Sequence, residues 1–146
     1  MIDKKNYKIA VGRRKGAIAR LRLYVDLKES LMFDEQTVKK GDIFVNGKKI
    51  EDYFKGNTAN ATYEEPFRIT NTVGKYTITV KVIGGGQMGQ MDAFIHAASR
   101  ALSTIDEKNK QILKKKGFLT RDARVRERRK VGMGGKARRK RQSPKR

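Results

Sequence analysis

Ala17, Ala19, Leu21, Leu23 and Val25 occupy alternate positions of the chain, with Arg20 and Arg22 between them. A period of two puts alternate side chains on opposite sides of a strand, so this stretch predicts a strand with one apolar and one cationic face. Tyr7, Ile9 and Val11 repeat the alternation more briefly and predict a shorter strand before it. The clearest strand comes later, where Tyr76, Ile78, Val80 and Val82 alternate with Thr77, Thr79 and Lys81 and β-branched residues dominate. Ile43, Phe44 and Val45 lead into Asn46-Gly47, a short strand entering a tight turn. Ile50 to Lys55 then suggests one helical turn, with Tyr53 and Phe54 in the core. Pro66 is expected to open another short strand through Phe67 and Ile69. Residues 26–42 are polar and suggest a loop with a short helical piece.

After residue 83 the period changes. Met91, Phe94, Ile95, Ala98, Leu102 and Ile105 follow the three-and-four spacing of a helix, with Asp92, His96, Ser99, Arg100 and Ser103 opposite. A second helix from Glu107 to Lys115 packs Ile112 and Leu113 and stops at Gly117. Strands interrupted by helices predict an α+β fold, a split β-α-β sandwich with the helices on one face of the sheet.

Charge changes this picture at one end. The chain carries +21, of which residues 114–146 contribute +14 from 16 Lys/Arg against Asp122 and Glu127 alone. Past Phe118-Leu119 no apolar stripe remains, so the chain divides into a globular domain, residues 1–118, and an extended basic tail, residues 119–146. So large a charge repels itself in a free protein and points to a polyanionic partner. Arginine outnumbers lysine from Arg121 onward, and guanidinium groups clamp phosphate bidentately and stack on bases. The tail has no aromatic ring, so its contacts are phosphate and arginine-plane contacts. Nucleic acid is the expected partner. A membrane is not: no run of 18 apolar residues occurs, and the first residues lack a signal peptide's apolar stretch. Cysteine is absent, which removes thiol catalysis and cysteine zinc sites.

Two features could carry chemistry. Gly12-Arg13-Arg14-Lys15-Gly16 sets three adjacent cations between glycines, an arrangement that a phosphate partner would relieve. Gly84, Gly86 and Gly89 stand at the spacing of a dinucleotide fingerprint, after a strand and before a helix. The acidic residue of such a site should end a second parallel strand, but Asp106 closes a helix and no further strand follows. These glycines therefore either permit a sharp turn or bring Gly86 and Gln87 close to an RNA phosphate. His96, the single histidine, has Asp92 one turn before it but no nucleophile or second ligand in sequence reach. No catalytic residue, metal, cofactor or small-molecule substrate is expected.

Four motifs, in order, resemble the ninth-protein family of the small ribosomal subunit, in its bacterial or organellar form. They are Gly12-Arg13-Arg14-Lys15-Gly16-Ala17-Ile18-Ala19-Arg20, and Val45-Asn46-Gly47 leading to Tyr53-Phe54. Gly84-Gly85-Gly86-Gln87-Met88-Gly89-Gln90 with Ser99-Arg100-Ala101-Leu102 is the third, and Leu119-Thr120-Arg121-Asp122-Ala123-Arg124 with Glu127-Arg128-Arg129-Lys130 the fourth. The terminal Lys145-Arg146 pair is similar too. The resemblance implies the fold of the second domain of the fifth small-subunit protein and a cytoplasmic ribosomal place in the subunit head, beside other head proteins. It implies rRNA binding by Arg13, Arg14, Lys15, Gly86, Gln87, Arg121, Arg124, Arg126, Arg128, Arg129, Lys130, Arg138, Arg139, Lys140 and Arg141. It also implies that Lys145 and Arg146 touch the anticodon stem-loop of peptidyl-site tRNA. Bacterial members commonly carry an aromatic residue between Gln and Ser near the tip. Here Gln142-Ser143-Pro144 lacks it, and a proline precedes the cations.

Overall fold

The computed structural model describes residues 7–25, 31–33, 36–56 and 58–128. Its strands are β1 (Tyr7–Arg14), β2 (Ala17–Tyr24), β3 (Leu31–Phe33), β4 (Gln36–Val38), β5 (Ile43–Val45), β6 (Lys48–Lys49) and β7 (Thr77–Ile83). Between β6 and β7 lie helices α1 (Ile50–Tyr53) and α2 (Ala59–Ile69), and after β7 come α3 (Gln87–Ile105) and α4 (Glu107–Lys115). One sheet runs β1-β2-β7-β5-β6, and β3 pairs with β4 in a separate hairpin. The pairs β1–β2 and β2–β7 are antiparallel, whereas β5 and β7 are parallel and joined through α1 and α2. The fold is α+β, as expected.

The period-two rule holds along β2, where Ala17, Ala19, Leu21 and Leu23 are fully buried and Arg20 and Arg22 exposed. Asn46 and Gly47 both take positive φ, the geometry of a two-residue hairpin turn. Phe54 is buried behind α1, and α4 has the expected bounds. Each large apolar side chain buried in this way contributes about 1.5–3 kcal/mol.

Six expectations need correction. β1 is as long as β2, because Arg13 and Arg14 continue the ladder opposite Ile18 and Ala17 and only Lys15-Gly16 turns. Its core side carries Ala10 and Gly12, and Ile9 stays 65% exposed. The stretch through Pro66 is not a strand: Pro66 lies inside α2, whose Ala59, Tyr63, Pro66 and Phe67 are buried at helical spacing. Burial of that stripe outweighs the amide that proline lacks. Residues 31–33 and 36–38 form the β3–β4 hairpin rather than a helical piece. Finally, Ser99 is buried on α3, its hydroxyl donating to Ile95 O at 2.8 Å, and Ile112 is 40% exposed.

Ser99 is buried because α3 packs on two sides. Ala93, Ala97 and Ala101 form a buried small-residue stripe beside the Phe94–Ala98–Leu102 face. That stripe lies against β1. A Cβ on Gly12 would stand 2.0 Å from Ala93 O and 2.5 Å from Ala97 N, so glycine sets how closely helix and strand approach. Gly12 is a packing position rather than the edge of a loop.

Candidate nucleic-acid interface

The β1–β2 turn and the β7–α3 loop touch. Gly84 and Gly85 hold φ near +70°, and a Cβ on Gly84 would stand 2.5 Å from Gly16 O. One on Gly85 would stand 2.9 Å from Ala17 Cβ. Gly86, the residue before α3, has ordinary extended backbone and open space around it, and Gly89 is in ordinary contact. The glycine requirement therefore falls on Gly84 and Gly85. They fit one turn against another.

Side chains from distant motifs hold that loop. Asn46 donates from Nδ2 to Val82 O at 2.9 Å and accepts from Val82 N at 2.8 Å, extending the β5–β7 pairing by a side chain. Its Nδ2 also lies 3.2 Å from Tyr53 Oη, which donates to Gln90 Oε1 at 2.9 Å. Gln90 Nε2 then donates to Gly84 O at 3.1 Å. The Asn-Gly turn, Tyr53 and the glycine segment thus form one connected network.

The three cations of the turn do different work. Arg13 and Lys15 are exposed, but the Arg14 side chain is only 16% exposed and points at carboxylates. Its Nη2 is 3.0 Å from Asp122 Oδ2 and its Nε 3.5 Å from Asp92 Oδ2, while Nη1 donates to Arg124 O at 3.3 Å. Arg14 is bound by protein groups and is not a free phosphate ligand in this state. Asp122 also accepts from Arg124, from Nη2 at 2.7 Å and from the backbone N–H at 2.9 Å. The Arg124 hydrogen bonds, with Arg14 beside them, hold the Asp122 carboxyl well below the usual carboxylate range.

His96 lies beneath the same junction. Its Nδ1 accepts from Arg13 N–H at 3.5 Å, and the Leu119 backbone lies near the ring. Burial, then Arg100 and Arg121 nearby, lower its pKa, so the ring is neutral at physiological pH. Arg100 Nη1 donates to Val11 O at 2.6 Å. Helix α3 thereby covers part of the free edge of β1.

The result is a basic surface. Arg14, Lys15, Gly16, Arg124, Val125 and Arg126 line one open groove. Arg121, Arg124, Arg126 and Arg128 are exposed, as are Gly86 and Gln87 on the neighbouring loop. Arg129, Lys130, Arg138, Arg139, Lys140, Arg141, Lys145 and Arg146 lie outside the described residues. Phe118 and Leu119 are partly buried against the core, so the chain leaves the body after Leu119. The sequence set Asp92 beside His96 and counted Asp122 as a tail charge, but missed both as partners of Arg14. Asp122, one of two acids in the basic segment, was the available signal. Among the described residues no group of three or more His, Asp or Glu could hold a metal ion, and no helix is long and apolar enough to cross a membrane.

The family model described as ribosomal protein S9/S16 matches residues 12–146, from the helix-contacting glycine of β1 through the basic tail. The chain belongs to that family. It is 46% identical over 131 residues to the small ribosomal subunit protein uS9 of Maridesulfovibrio salexigens, covering 90% of this chain and 91% of that one. To uS9 of Dehalococcoides mccartyi it is 39% identical over 133 residues, 91% of each chain. To uS9 of Leifsonia xyli it is 44% identical over 125 residues, 85% of this chain and 67% of that one. The S9/S16 assignment makes it a structural protein of the small ribosomal subunit, working in translation in the cytoplasm with rRNA and ribosomal proteins as partners. It is not an enzyme. Of the three glycines at dinucleotide spacing, packing requires only Gly84, together with its neighbour Gly85.

Proposed function

We propose that this S9 protein fastens rRNA of the subunit head along the β1–β2 turn and the tail, and presents Lys145 and Arg146 to the anticodon stem-loop of peptidyl-site tRNA. The observation that carries this is the Arg14–Asp122 ion pair at 3.0 Å. It lays the root of the tail beside the turn, so that Lys15 shares a groove with Arg124 and Arg126. Exposed cations gathered there neutralise phosphates and release counterions on binding. Gly86 and Gln87, exposed at the start of α3, add a place where backbone amides can meet a phosphate. Arg129, Lys130 and the Arg138–Arg141 group continue the same charge outward.

The tRNA contact rests on the tail's sequence and its likeness to the family, which extends through residue 146. The 18 residues beyond Arg128 reach at most roughly 60–65 Å when fully extended. Deleting Lys145 and Arg146 alone should leave subunit assembly near normal. It should weaken peptidyl-site tRNA binding by about 1–3 kcal/mol if both cations bond phosphate. Deletion from Gly135 onward should harm both. Unchanged tRNA affinity in the two-residue deletion would refute the tRNA contact, and Pro144 with the missing aromatic would then explain a redirected tip.

A further inference from the structure

Asp122 is an acid standing where phosphate is expected to bind. It is one of two acids in residues 114–146, and its neighbour Arg124 lines the open groove with Lys15 and Arg126. On charge alone its carboxylate should repel a polyanion. Its hydrogen bonds give it another role. Arg124 donates to it from the backbone N–H at 2.9 Å, from Nε at 3.1 and 3.0 Å to the two oxygens, and from Nη2 at 2.7 Å. An Asp that accepts from the N–H two residues on closes a local turn, which sets the direction of the chain at Arg124. Arg14 fastens that turn from β1: its Nη2 lies 3.0 Å from the carboxylate, and its Nη1 donates to Arg124 O at 3.3 Å. A pair of fully exposed charges holds little by itself. Here the Arg14 side chain is only 16% exposed, has Asp92 behind it, and clamps carboxylate and carbonyl together.

We infer that Asp122 is a positioning residue for rRNA, holding the Arg124 guanidinium by its Nε side so that the remaining edge meets a backbone phosphate. The inference rests on the rRNA reading above and names a residue that acts on the ligand through Arg124. A guanidinium carries five N–H donors in one plane. Asp122 takes those of Nε and one of Nη2, which leaves Nη1 and the second Nη2 hydrogen. That edge fits two phosphate oxygens. The Arg124 side chain is 85% exposed, so a ligand can reach it. An unrestrained arginine loses rotamer freedom when it binds, and this lowers affinity; one already held in place loses little. The carboxylate stays charged throughout, because the Arg124 hydrogen bonds keep it well below the usual carboxylate range. Affinity then depends on where the cation points as well as on how many cations there are.

The test uses the full chain and small-subunit rRNA, with affinity measured over a salt series and thermal unfolding as the check that each variant folds. The variants are Asp122→Asn, Arg124→Gln, the two combined, Arg124→Gln with Arg126→Gln, and Glu127→Gln. Asp122→Asn adds a positive charge to the groove yet should bind about tenfold more weakly, the scale of one charge-assisted hydrogen bond. Its log–log salt slope should be shallower by about 0.7–0.9, as for one lost phosphate contact. Glu127→Gln makes the same change of charge at an exposed position and should bind as tightly as the parent or more so. In the Arg124→Gln background the Asp122→Asn loss should mostly vanish, since two residues acting through one contact are not additive. If Asp122→Asn binds as tightly as the parent or more so, while Arg124→Gln with Arg126→Gln binds more weakly, the carboxylate only repels phosphate; the inference fails and the rRNA reading stands. An equal Asp122→Asn loss in both backgrounds also overturns it, because the aspartate would then act by holding the tail on Arg14. If Arg124→Gln with Arg126→Gln changes nothing, the rRNA reading of this groove fails and takes the inference with it.

Discussion

Arg14 Nη2 meets Asp122 Oδ2 at 3.0 Å, joining the last residue of β1 to the first turn of the basic tail. That pair, with Asp92 on α3 behind it, converts a tail root of opposing charges into a docked segment. Replacing Asp122 with Asn should free it. Trypsin cleavage after Arg121 and Arg124 should speed up several-fold, while the core, residues 7–118, keeps its melting temperature. Equal cleavage rates in the variant and the parent would mean that the pair does not hold the tail.

Asp122 also fixes a response to acid, through its hydrogen bonds from Arg124 first and its pairing with Arg14 after them. The folded Asp122 carboxyl titrates below its ordinary value near 3.9. Its contribution is therefore complete above that value and is lost as pH falls through the lower, folded one. Tail docking should be insensitive to pH from neutrality down to about pH 4 on this account. Protease protection of residues 121–124, measured with an acid-active enzyme, should disappear only below it.

His96 acts in a different window. Its folded pKa lies below the ordinary 6.5, so the unfolded chain takes up the proton first. Stability from this group is complete above pH 6.5 and declines as pH falls from there toward the folded value. Unfolding by denaturant between pH 5 and 7 should show that decline, and His96→Gln should flatten it. A slope unchanged by the substitution would assign the effect to other groups.

The glycines separate by geometry. Gly12→Ala puts a Cβ where Ala93 O and Ala97 N already lie and should destabilise by about 1–3 kcal/mol as α3 lifts from β1. Gly84→Ala combines a left-handed backbone with contact on Gly16 O and should cost about 1–2 kcal/mol from the backbone alone. Gly86→Ala, in open space with ordinary φ, should stay within about 0.5 kcal/mol of the parent. Equilibrium unfolding of the three variants checks the order. A damaging Gly86→Ala would show that its constraint is not steric.

Much of this fold was legible because local pattern and tertiary packing agree. Along β2 the alternation of apolar residues with Arg20 and Arg22 is the burial pattern itself. The Asn46-Gly47 turn is encoded by the two residues that adopt it. Pro66 misled because proline reports on the local backbone, whereas the Tyr63–Phe67 stripe that holds α2 together is a tertiary matter. On α3 the alanines at 93, 97 and 101 have too little side chain to register as an apolar face, so the helix read as packed on one side only. The basic character of the candidate site was plain in composition. Which arginine turns inward was not, since Arg14 differs from Arg13 only in facing α3, where Asp92 waits, and in the later arrival of Asp122.

On the proposed function, the β1–β2 turn and the tail root face rRNA as a single surface. The chain has no cysteine, so single-cysteine variants can each carry a tethered iron probe that cleaves nearby RNA with hydroxyl radicals. Probes at Gly16→Cys and Val125→Cys flank the groove of Lys15 and Arg126, and one at Val73→Cys, exposed just before β7, stands at the opposite end of the sheet. In assembled small subunits the first two should cut overlapping sets of rRNA nucleotides, and the third should cut a different set or none. Separate targets for Gly16→Cys and Val125→Cys, or no cleavage from either, would contradict the account.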